Sequence, residues 1–180
     1  MATSACQNMF RSCTGLTTAA ELPCTKLANR CYQSMFYGCT SLAEAPTLPA
    51  TIMYEGCYQN MFYGCTSLTA PPQLPAMTLA VSCYDSMFYG CTSLEKLPTL
   101  NALQLKQYCY QNMFYRCSSI AVNTAATGDV NSEYRIPYSG TGTTAYNALY
   151  GMFTSTSGTL AGTPTINTTY YTDNDIVLPS

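Results

Sequence analysis

Apolar residues return along this chain in blocks that copy one another. The dipeptide Met-Phe stands at Met9-Phe10, Met35-Phe36, Met61-Phe62, Met87-Phe88 and Met113-Phe114, each step being 26 residues. Around the pair runs a longer unit, seen as CYQNMFYGCTSL ending at Leu68. A fixed period of this length predicts stacked coils, each burying its apolar edge against its neighbours. Within one unit Met53, Cys57 and Met61 fall at i, i+4 and i+8, and Phe62 widens the stripe. That spacing predicts a helix of about three turns. Pro49 and Thr51 suit its start, Thr51 as N-cap. Gly38, Gly64 and Gly90 suit a left-handed residue just past its end, a column that Arg116 breaks. A short strand is expected over 41–48, with Leu42, Leu48, Leu68, Leu74, Leu94 and Leu100 pointing inward. Pro46, Pro72 and Pro98 lack an N–H and keep that strand to a few residues.

The repeat covers 1–120 and then changes character. Residues 121–144 are rich in Gly, Thr and Asn and read as a loop or small hairpin. In 145–180, AYNALYGMF is a degenerate coil, with Ala148 and Thr156 in the two cysteine columns. The tail TPTINTTYYTDNDIVLP gathers β-branched and aromatic residues for closing strands, so this region is expected to cap the C-terminal end. The repeat is already running by Cys6, which implies that a longer chain or another chain covers the first coil.

Composition narrows the function. Charged residues are 9% of the chain against roughly 25% in an average globular protein. The seven basic residues are scattered, which disfavours nucleic acid. Histidine is absent, removing Ser-His and Cys-His nucleophiles and imidazole ligands. No apolar run reaches the ~20 residues of a membrane helix, so no membrane insertion is expected.

Eleven cysteines fall mainly in two columns, Cys13, Cys39, Cys65, Cys91, Cys117 and Cys31, Cys57, Cys83, Cys109. No CxxC pair occurs, and the columns lie on apolar stripes, where reduced thiols act as small buried hydrophobes. Disulfides and a metal site stay open as alternatives. The tyrosine columns are Tyr32, Tyr58, Tyr84, Tyr110 and Tyr37, Tyr63, Tyr89, Tyr115. They either brace the repeat, ring packed and hydroxyl wet, or form an aromatic ladder for sugars or a protein. Positions that vary between coils are less constrained by packing. These are Thr18, Glu44, Ala70, Lys96 and Glu21, Thr47, Gln73, Thr99 on the strand side, which face either a ligand or solvent alone. The acidic groups Asp129, Asn131, Glu133 and Asp173, Asn174, Asp175 complete no EF-hand loop. No cofactor is expected.

The run Phe62-x-x-Cys65-x-x-Leu68, closed by Leu74-Pro75, resembles the BspA-like, Treponema-type leucine-rich repeats. Met replaces the usual Ala before Phe, and the period is longer than usual, as in repeats resembling surface proteins of gut Bacteroidales and structural proteins of their phages. The resemblance implies an α/β leucine-rich-repeat solenoid of about five helix–turn–short-strand coils plus a degenerate coil and C-terminal cap. It also implies a non-enzymatic protein that is extracellular, on a cell surface or in a virion. Its expected partners are a protein or glycan ligand bound in the manner of an adhesin, or copies of itself in a self-assembling particle.

Overall fold

A computed structural model describes residues 1–178. Among the described residues there is no α-helix. Regular strand is confined to β1 (Lys96–Pro98), β2 (Ser132–Arg135), β3 (Thr169–Thr172) and β4 (Asp175–Val177). The expected α/β leucine-rich-repeat solenoid, with its helix–turn–strand coils, is therefore not the fold of this chain.

Where a helix was expected, the backbone runs through overlapping four-residue turns. In segment 28–39 the N–H groups of Cys31, Gln33, Met35, Tyr37 and Cys39 donate to the carbonyl three residues back, at 3.1–3.3 Å. Those of Arg30, Tyr32, Ser34, Phe36 and Gly38 instead donate to the next repeat, to the carbonyls of Glu55, Cys57, Gln59, Met61 and Tyr63, at 2.7–3.0 Å. Alternate donors thus stay local or cross to the neighbouring repeat. Related patterns recur in segments 2–13, 54–65, 80–91, 106–117 and 145–156.

Two features of the sequence select turns over helix. Every fourth residue is left-handed: Arg30, Ser34 and Gly38 have φ of 56°, 54° and 72°, and Gly56, Asn60 and Gly64 have 57°, 55° and 70°. Gly and Asn enter this region most readily, and both are poor helix formers. The apolar stripe also repeats strictly every four residues. An α-helix overshoots a four-residue step by about 40°, so Met53 and Cys65 would lie about 120° apart on its surface. In the turn segment Met53, Cys57, Met61 and Cys65 are all buried.

Stacking then builds the core. Phe10, Phe36, Phe62, Phe88, Phe114 and Phe153 form one column with ring centroids 5.5–5.6 Å apart. Tyr32, Tyr58, Tyr84 and Tyr110 form a second at 5.7–5.8 Å. The six leucines expected to point inward are all buried.

On the strand side, isolated parallel bridges such as Thr18 to Glu44 and single bonds such as Glu95 N–H to the Thr69 carbonyl at 2.9 Å join successive repeats. The short strand expected over 41–48 does not form. Strand appears at β1 because the tail supplies a partner: β4 pairs with it in parallel, Leu97 opposite Ile176. Within 121–144, read as a loop or small hairpin, Thr127 and Val130 form an antiparallel bridge, and β2 lies antiparallel to β3 of the tail. Asn174 fastens this end. Its Nδ2 donates to the carbonyls of Glu95 and Ser119, and its Oδ1 accepts from the Ala121 N–H.

The left-handed columns can be tested at Gly90, where φ is 71° and an added Cβ would meet only Gly64 Cα at 4.0 Å. Space is available, so the cost of Gly90→Ala is that of the backbone conformation, roughly 1–2 kcal/mol. Urea denaturation should show that loss, with a smaller one for Gly90→Asn. Equal midpoints for all three proteins would refute the turn geometry.

Candidate functional site

The strand-side columns remain the most open polar surface of the repeats. Thr18, Glu44, Glu21, Thr47 and Gln73 are exposed. Glu21 accepts from both the Thr47 N–H and the Thr47 hydroxyl, and these bonds hold its carboxyl below the usual range. Beside Thr47 and Gln73 lies a groove of about 580 Å³. Pro46, Leu48, Pro49, Pro72 and Pro75 form its apolar wall. The fourth repeat is closed off. There Lys96 pairs with Asp175 at 3.4 Å, and Thr99 is buried with its hydroxyl toward the Val177 carbonyl at 3.4 Å. β4 therefore pairs with Lys96 and buries Thr99, two positions expected to face either a ligand or solvent, and leaves the earlier repeats open.

Both tyrosine columns are used internally. Tyr32, Tyr58, Tyr84 and Tyr110 are no more than 2% exposed. Tyr37, Tyr63, Tyr89 and Tyr115 are half-buried and stacked face to face at 4.4–4.7 Å. Arg11 lies 4.2 Å over the outer face of Tyr37, and Arg116 lies 5.7 Å from Tyr115 at the other end. A sugar that stacks on an aromatic needs a bare ring face. Neither column offers one.

The thiols serve the fold. Cys39, Cys65, Cys91 and Cys117 donate to the carbonyls of Phe10, Phe36, Phe62 and Phe88 in the preceding repeat, at 3.0–3.1 Å. The spacing of these cysteines carried their burial but not this role, which needs the neighbouring carbonyl in view. All eleven are free thiols. Burial pushes Cys57, Cys65, Cys109 and Cys117 up to about 12, away from the nucleophilic thiolate. Among the described residues no group of three or more His, Cys, Asp or Glu could hold a metal ion. Nor, among the described residues, is any helix long and apolar enough to cross a membrane.

A further polar ladder was not read from the sequence. Gln7 donates to Gln33 at 2.7 Å, Gln33 to Gln59 at 2.6 Å, and Gln59 to Asp85 at 2.9 Å. The next position, Gln111, has its Oε1 buried and without a partner. The recurrence of Gln 26 residues apart was the available signal. Comparison with protein-family models, curated proteins and solved structures finds no match for this chain.

Two predictions follow from the buried groups. Burial raises the Asp85 carboxyl above its ordinary 3.8, against lowering bonds from Ser86 and Gln59. A raised native value means its contribution is full at lower pH and is lost as pH rises through it. Asp85→Gln continues the amide ladder toward Gln111 and should gain about 1 kcal/mol at neutral pH. The gain should shrink as pH falls toward 3.8, and a less stable variant at neutral pH would refute the ladder.

At the alkaline end, burial raises the Cys57 and Cys65 thiols from 9.0 and Tyr32 from 10.0 up to about 12, with Tyr58, Tyr84 and Tyr110 also raised. The unfolded chain loses these protons first, so stability is intact below pH 9 and falls above it. The phenolate absorbance of the buried Tyr32, Tyr58, Tyr84 and Tyr110 should therefore appear together with the change in circular dichroism above pH 10. Ionisation of all 16 tyrosines in an intact fold would contradict this.

Proposed function

We propose that this chain is a non-catalytic interaction protein whose ligand is an extended stretch of polypeptide. The observation that carries the reading is the groove beside Thr47 and Gln73, walled by Pro46, Pro49, Pro72 and Pro75. Prolines break the strand ladder there, so Thr47 and Gln73 stand beside an apolar trough rather than inside a sheet. Apolar walls with a few polar groups suit side chains of an incoming peptide anchored by hydrogen bonds. Glu44 on the same exposed face favours a peptide with basic residues between its apolar ones.

A protein ligand is preferred to a glycan because the ring faces of the two repeated tyrosine columns are already used in stacking. Catalysis is disfavoured by the chemistry present. The chain has no histidine, the columnar thiols from Cys31 to Cys117 are buried, and burial raises the proton affinity of those such as Cys65 and Cys109.

Panning a phage-displayed peptide library against the intact protein tests the reading. Peptides should be enriched that bind the protein about tenfold better than Thr47→Arg/Gln73→Arg, a difference of about 1.4 kcal/mol. Enrichment that ignores the double substitution would overturn it. So would glycan-array binding with no peptide selected.

A further inference from the structure

The strand-side columns carry proline unevenly. One column reads Ala20, Pro46, Pro72, Pro98 and another reads Pro23, Pro49, Pro75, Asn101. Among these four repeats, the second and third alone have proline in both columns. Their four prolines line the groove beside Thr47 and Gln73, together with Leu48. Pro46, Pro72 and Leu48 are buried there, while Pro49 and Pro75 are half-buried.

Such a wall selects by shape. A proline ring is tied to its own backbone and cannot rotate away to suit a guest. Its C–H groups beside the amide nitrogen carry partial positive charge, which suits the electron-rich face of an aromatic ring. A single aliphatic side chain would leave much of a groove of about 580 Å³ unfilled, and an unfilled wall forfeits its contacts. A Trp, Tyr or Phe side chain covers more wall and has few torsions to fix.

The rim selects by charge. Glu21 Oε2 accepts from the Thr47 N–H at 3.2 Å and also from the Thr47 hydroxyl. Both donors of Thr47 are thereby engaged. This corner still offers the second carboxylate oxygen of Glu21 and the lone pairs of the Thr47 hydroxyl, which are acceptors with no proton to give. Glu44 stands exposed on the same side. Lys96, the basic residue of its column, is tied to Asp175 at 3.4 Å. A ligand meeting this rim must bring donors, and ammonium or guanidinium groups bring them with complementary charge.

We propose that the proline-lined groove takes an aromatic side chain of an extended peptide, with basic residues on either side of it held by Glu21 and Glu44. The inference rests on the reading of this groove as a peptide site and adds the side chains that it selects. Glu21 acts twice, engaging the donors of Thr47 and supplying an anchoring charge.

Fluorescence anisotropy on the intact protein tests this with three labelled peptides of one length and one background sequence. The first carries Trp flanked by Lys, the second Leu flanked by Lys, and the third Trp flanked by Glu. The Trp peptide with Lys flanks should bind about tenfold more tightly than either of the others. Glu21→Gln keeps an acceptor for the Thr47 N–H, removes the charge and lies at an exposed position. It should weaken binding of that peptide about fivefold. Pro75→Ala opens one wall and should weaken the Trp peptide more than the Leu peptide.

Equal binding of the Leu and Trp peptides, still lost in Thr47→Arg/Gln73→Arg, would overturn the aromatic selection and leave the peptide groove standing. Equal binding of the peptide with Glu flanks would overturn the acceptor rim, as would unchanged affinity in Glu21→Gln. Binding that survives Thr47→Arg/Gln73→Arg, or none by any of the three peptides, would remove the groove as a peptide site and this inference with it.

Discussion

The structure depends on alternate backbone N–H groups being committed to the next repeat. An α-helix would keep these donors within its own segment and leave side chains alone to hold the repeats together. Here the main chain joins them, at intervals fixed by the hydrogen bonds from Tyr32 to Cys57, Tyr58 to Cys83 and Tyr84 to Cys109, each 3.0 Å. The left-handed residue needed at every fourth position costs roughly 1–2 kcal/mol where it is not glycine. Burial of Met, Phe and Leu columns on both sides of each layer offsets that cost, since each such side chain contributes roughly 1.5–3 kcal/mol.

Fixed stacking also explains the low charge. Equivalent side chains in successive repeats sit close together, as the tyrosine rings at 4.4–4.7 Å show. A column of like charges about 5 Å apart would repel by about 3 kcal/mol per step at an effective dielectric constant of 20. Residues that bond to copies of themselves avoid this. Gln7, Gln33 and Gln59 do so as amides, and the tyrosines do so as rings. Charge enters where neighbouring repeats differ in sign, as in Arg30 with Glu55 at 2.9 Å. Asp85 is the exception, a carboxylate set in an amide column, and burial raises its proton affinity accordingly.

Much of the packing was legible in the sequence, because a repeat reports its own buried columns. The Met, Phe, Cys and Leu positions read as inward-facing from Cys31 to Ile120 are buried. Secondary structure was not, because i, i+4, i+8 spacing is shared by a helix and by four-residue turns. The distinguishing signs were the unbroken period of four from Met53 to Cys65 and the Gly, Asn and Ser at every fourth position beside it. The role of the tyrosines stayed open for a related reason. Periodicity shows that a residue recurs, and only the stacking distance shows whether its ring face is free. At the far end, the pairing of β4 with β1 joins residues with no shared pattern, so nothing local in Asp175–Val177 announced it.

Function in such a stack belongs where the period fails. Inside the repeat every layer satisfies its neighbour's donors, rings and thiols, and little remains to engage anything else. Prolines interrupt the ladder beside Thr47 and Gln73 and leave a groove. In the last turn segment the Gly151 and Phe153 N–H groups bond to the Thr163 hydroxyl and the Gly162 carbonyl, where the tail departs from the period. Where the sequence leaves its repeat, backbone groups and apolar walls thus pass from neighbouring repeats to other partners.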